Sequence, residues 1–150
     1  MRNRAGTSAP AAAEVRSHAP AFFQWGSSRY AVATRFPDNQ PLANPALGFT
    51  YAGVRRGEVV TLWGTGFGPA RPAVQPGSPA LFASAIGEPM VFVGFIRAPL
   101  IGAALSPGLV GVYQLATQVP FNASIGDNLV RATVAGFETP DNVYIHVVRE

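Results

Sequence analysis

Residues 57–69 read GEVVTLWGTGFGP, and no other stretch limits the fold of this chain so strongly. Val59, Val60, Leu62 and Trp63 form a short β-branched and aromatic run suited to a buried or half-buried sheet position. Gly64, Gly66 and Gly68 then give the backbone freedom to turn away, and Pro69 cannot extend a ladder. A strand ending in G-x-G-x-G also raises the dinucleotide loop, in which glycines admit a pyrophosphate to a helix N-terminus. That chemistry needs a helix next, and residues 70–79 (ARPAVQPGSP) carry three prolines that forbid a regular one. The expectation is a central strand ending in a structural turn, with much of the chain as its partners.

The alternation of apolar and polar residues elsewhere supports that expectation. In residues 111–120 (GVYQLATQVP), Tyr113, Leu115, Thr117 and Val119 share one face, while Gln114 and Gln118 share the face assigned to solvent. Val130, Ala132 and Val134 stand opposite Arg131 and Thr133, and Val143, Ile145 and Val147 alternate with Tyr144, His146 and Val148. Residues 29–35 (RYAVATR) place Tyr30, Val32 and Thr34 on one face of a further strand. Residues 89–95 and 99–104 complete the set, and long Pro/Gly/Asn-rich connections fill residues 36–54 and 69–79. Sixteen glycines and fourteen prolines are spread along the chain, and no 3.6-residue periodicity competes with the period of two. The fold class is therefore all-β, an immunoglobulin-like antiparallel β-sandwich of about seven to nine strands.

The N-terminal region has a different status. Residues 5–16 (AGTSAPAAAEVR) and 135–147 (AGFETPDNVYIHV) both begin Ala-Gly, carry a proline four residues after the glycine and lead into a strand-like run. Residues 1–18 are assigned as the terminal strand of a preceding module, or as a strand exchanged with or added to another sheet, and residues 19–150 as the sandwich. An unpaired strand needs a sheet edge, which makes Ala11, Ala13 and Val15 candidate partner-binding residues. Phe22, Phe23 and Trp25 join them, because large aromatics beside a strand-breaking proline must be covered by something.

Composition narrows the functional classes. Only 13% of residues are charged, against about 25% in ordinary domains, so the surface is sticky and contact with copies of itself or with neighbouring β-domains is expected. The eleven basic residues are all arginines, scattered to a net charge of +3, without the dense basic stripe of a nucleic-acid groove, so no nucleic-acid partner is expected. No cysteine is present for disulfides or thiolate metal sites. No apolar run reaches the about 18 residues of a membrane span, and the positively charged N-terminus lacks the apolar core of a signal peptide.

Catalytic chemistry finds no foothold. His18 and His146 lack metal-ligand spacing, and no G-x-S-x-G elbow occurs. The eight acids are spread singly, and His146 is expected on the exposed face of the last strand. Asp38, Asp127 and Asp141 each precede or adjoin an asparagine in a way that marks turns more strongly than calcium loops. Asn122-Ala123-Ser124 fits a glycosylation acceptor pattern without further support. No catalytic, cofactor-binding or metal residue is nominated, and a non-enzymatic role is expected. The alternative is a carbohydrate-binding module that stacks sugar rings on Phe22, Trp25, Trp63 or Tyr113, two or more of which would have to lie exposed on one face.

The order of pieces resembles a known family. A strand followed by GTGFGP, a proline-rich crossover, the run SPGLVGVYQLATQVP at residues 106–120 and a closing strand pair are similar to the Solibacter-type C-terminal domain of Acidobacteria exported proteins. The likeness covers about residues 19–149, and residues 57–68 also resemble the opening strand of IPT/TIG domains, which are immunoglobulin-like sandwiches. The resemblance implies an extracellular or cell-surface location and structural or adhesive duties, and it carries no activity to any residue. This chain departs from that family in starting at Met1 almost within the sandwich.

Overall fold

A period of two with one apolar face needs a second apolar face to cover it, and the chain solves this with two antiparallel sheets over one core. The computed structural model describes residues 2–3, 6–7, 9–43 and 52–149. Fourteen short strands are described: β1 (Arg2–Asn3), β2 (Gly6–Thr7), β3 (Ala21–Phe22), β4 (Ala33–Arg35), β5 (Val59–Thr65), β6 (Ala70–Arg71), β7 (Ser84–Ile86), β8 (Met90–Val93), β9 (Ile96–Ala98), β10 (Leu100–Leu105), β11 (Tyr113–Gln118), β12 (Gly126–Val134), β13 (Phe137–Glu138) and β14 (Tyr144–Val147). Among the described residues none is helical, including those of the proline-rich crossover.

β5 is the centre of the first sheet. It pairs with β11 on one side and with β3 and β4 on the other, and the sheet continues through β10 and β7 to β6. The apolar run expected for a buried or half-buried strand alternates in the sheet, with Val60 and Leu62 fully buried and Val59, Thr61 and Trp63 half-buried. Leu115 of β11 sits directly opposite Leu62. The second sheet is built on β12, with β8 and then β9 on one side and β13 and β14 on the other. Val91, Val93, Val130, Ala132, Val134, Ile145 and Val147 from that sheet meet Val60, Leu62 and Leu115 in one core cluster.

The count exceeds the expected seven to nine because β1 and β2 form a two-stranded sheet of their own, β6 is a two-residue end piece, and one edge of each main sheet is a broken strand. β3 and β4 pair with successive parts of β5, and β13 and β14 with successive parts of β12. Between β3 and β4 the chain leaves the first sheet, and the Tyr144 amide donates to Arg29 O while the Ala31 amide donates to Tyr144 O. Residues 29–31 thus cover part of the open edge of β14, and Val54 covers its far end through the pairs Val54 N to His146 O and Val148 N to Val54 O. This excursion corrects one face: Ala31 and Ala33 enter the core cluster, while Val32 and Thr34 are half-buried outside it. Tyr30 is buried too, but it is turned toward β12 and β14.

The glycine turn after β5 is where the N-terminal segment docks. Gly66 has φ +74°, and a Cβ there would lie 1.9 Å from the carbonyl oxygen of Ala19, whose amide donates to Gly66 O at 2.9 Å. Only glycine permits that approach of two backbones. Phe67 closes the core beside it, against Phe22 at 5.5 Å and Tyr113 at 5.8 Å between ring centres. Burial pushes the Tyr113 phenol pKa up, and its hydroxyl donates to Gly68 O at 2.6 Å.

Candidate functional site

Two places on the molecule join chemistry to position: a polar cluster on β12 and β14, and the open edge of β10. The cluster follows from strand register. Asp127 and His146 are direct cross-strand partners on outward faces, so their side chains meet. Oδ1 of Asp127 lies 2.6 Å from Nδ1 of His146, while Oδ2 accepts from the Tyr30 hydroxyl at 2.9 Å and from the Arg29 guanidinium at 2.5 Å. An ionised carboxylate only accepts, so His146 carries its proton on Nδ1. Burial pushes the Asp127 carboxyl pKa up, but the bonds from His146 and Tyr30 and the charge of Arg29 outweigh that and hold it below the ordinary value. The Arg29 guanidinium also lies 5.0 Å from the centre of the Tyr144 ring.

Both residues correct expectations from the sequence. His146 is not simply exposed, and Asp127 is not in a turn but within β12. The missing signal was register. Counting pairs from the Ala135-Gly136 turn sets Tyr144 opposite Asp127, yet the ladder sets His146 there, two residues on. The bend at Asp141 and Asn142 takes up those two residues, which preserves the inward face of β14 while changing every partner. Asp38 behaves as a turn residue, accepting from the Gln40 amide and pairing with Arg35, and Asp141 lies 3.8 Å from Arg131. Among the described residues no three histidines or acids gather as a metal site. What the cluster does is fasten residues 29–30 and β14 to β12.

The nominated partner residues fall in three environments. Ala11, Ala13 and Val15 lie on an exposed segment, residues 9–17, that has no regular secondary structure, and Val15 is 95% exposed. The described part of the expected strand therefore joins neither sheet of the sandwich: residues 9–16 are in no ladder, and β2 pairs with β1 in a separate two-stranded sheet. Phe22 is a core residue. Phe23 and Trp25 are half-buried at the broken edge, where the Phe23 amide donates to Trp63 O and the Trp25 indole donates to Leu42 O at 3.1 Å. Of the proposed sugar platform, Phe22 is buried and Trp25, Trp63 and Tyr113 are half-buried. The Trp63 indole donates to Thr34 and the Tyr113 hydroxyl to Gly68 O, so each turns a polar atom into its own fold.

The open edge arises where two crossovers pass between the sheets. β7 pairs with β10 only at Ala104 and Leu105, because residues 87–89 turn away toward β8 in the other sheet. Residues 100–103 keep β11 on one side and have no ladder on the other among the described residues. Beside them runs a cleft of about 870 Å³, lined by Ile86, Met90 and Ile101 with Glu88 and Arg97. Ile101 is 63% exposed and the Gly102 position is open, with nothing within 4 Å of a Cβ built there.

Comparison of the chain with protein-family models, curated proteins and solved structures finds no match.

Proposed function

We propose that this chain is a non-enzymatic, immunoglobulin-like β-sandwich module of an extracellular or cell-surface protein, and that it works by attachment, joining copies of itself through strand addition by the N-terminal segment. The observation that carries this reading is the segment at residues 9–17, which is exposed throughout and leaves Val15 95% exposed. An ordered sandwich supplies sheet edges for such a segment, and main-chain hydrogen bonds give strand addition its affinity. The charge-poor composition supports association, as do the exposed Leu81, Phe95 and Phe121. The resemblance to the Solibacter-type domain supports the surface location and the IPT/TIG-like sandwich.

Size-exclusion chromatography with light scattering over a hundredfold range of concentration tests the reading. The full chain is expected to form dimers or larger species that disappear when residues 1–17 are deleted. A strictly monomeric chain, unchanged by the deletion, would overturn it.

A further inference from the structure

We infer that the open edge of β10 at residues 100–103 is the acceptor for residues 11–16 of a second copy of this chain, which add there as an antiparallel strand. The inference rests on the self-association reading above and names its acceptor.

Four observations converge on this edge. First, the open part of β10 lacks two of the usual protections of an edge, although a bulge interrupts its ladder with β11 between Leu100 and Gly102. Natural edges are usually blunted by charge or proline, whereas Ile101, Gly102 and Ala103 offer neither. Second, the incoming segment is exposed and has no regular structure to give up. Arg16 donates from both Nε and Nη2 to the two carboxylate oxygens of Glu14, each at 2.8 Å, which puts the two side chains on one side, as they would lie in an added strand. Third, the chemistry is compatible. The cleft beside the edge mixes Ile86, Met90 and Ile101 with Glu88 and Arg97, and residues 11–16 likewise mix the small apolar Ala11, Ala13 and Val15 with one acid, Glu14, and one base, Arg16.

Fourth, direction favours a second copy over the chain's own segment. The segment leaves the sandwich at His18, which lines a groove with Ile86 and Gly87, the two residues that also begin the β10 cleft. The β7 register places Ile86 at the Ala103 end of the open edge, because Ser84 and Ala85 pair with Leu105 and Ala104. A segment folding back from His18 would therefore run parallel to β10. Every strand pair in this sheet is antiparallel, and antiparallel pairing is the more stable. A segment entering from another molecule is free of that constraint and can take the antiparallel direction.

The chain has no cysteine, so introduced thiols report without background. Ala13→Cys and Gly102→Cys, made as separate proteins, are mixed and treated with a short bismaleimide. A cross-linked heterodimer is expected, in greater yield than either protein gives alone. Ile101→Asp, at an exposed site, is expected to weaken dimerisation about tenfold, near the net worth of one hydrogen bond. The double variant Ala13→Cys/Gly102→Cys cross-linking only within one chain at every concentration would overturn the proposal in favour of the chain's own segment. Association that persists in Ile101→Asp, with no heterodimer in the mixture, but is lost on deleting residues 1–17, would place the acceptor elsewhere and leave the self-association reading standing. A chain that is monomeric with or without those residues would sink that reading, and this proposal with it.

Discussion

Replacing Asp127 by asparagine removes the charge on which the β12–β14 cluster converges. The side chain is 18% exposed, and two of its partners, Tyr30 and His146, approach with hydrogen-bonding geometry. Bonds to a charged group contribute about 1.5 to 3 kcal/mol each, and an asparagine oxygen keeps one neutral bond of about 1 kcal/mol. The Arg29 pair adds about 0 to 1 kcal/mol, because its guanidinium is mostly exposed. The expected loss is about 2 to 6 kcal/mol at pH 7. Because the native carboxyl titrates below its unfolded value of about 3.9, its stabilisation is complete above that pH and is lost as pH falls through the native value. Urea unfolding followed by the fluorescence of Trp25 and Trp63 should show the wild-type advantage at pH 5 to 7 and its loss below about pH 4. A gap under about 0.5 kcal/mol at pH 7, or one that persists unchanged to pH 3, would refute the assignment.

Other perturbations separate backbone approach from core packing. Gly66→Ala meets both a positive φ and the Ala19 carbonyl, and should cost about 2 to 4 kcal/mol. Gly77→Ala, at φ +80° with open space around it, should cost only about 1 to 2 kcal/mol, and equal thermal shifts for the two would dismiss the close approach. Leu62→Ala, at the fully buried centre of β5, should cost about 3 kcal/mol in urea without changing the solution mass of the protein. Tyr30→Phe should lose about 1.5 to 3 kcal/mol, and in Asp127→Asn the same change should cost clearly less, which a double-mutant cycle reads as coupling.

The inward faces of β11, β12 and β14 were legible from the sequence alone, because a strand's side chains alternate whatever it pairs with. Leu115 and Val119, and Val143, Ile145 and Val147, are buried as the alternation required, whereas the apolar run of β5 did not say that Val60 and Leu62 rather than Val59 and Trp63 would face the core. The glycine turn was legible for a similar reason, since positive φ and a following proline are local properties. The tertiary structure alone decided which strands met and in what register. Asp127 and Tyr30 are 97 residues apart in the chain, and the two-residue bend before β14 changes the partner of Asp127 without disturbing any inward face. The open edge of β10 exists only because residues 87–89 cross to the other sheet, and no periodicity within β10 records how far its neighbour extends. Local alternation fixes which face is buried, whereas partners depend on long-range closure of the chain, which no short stretch of residues encodes.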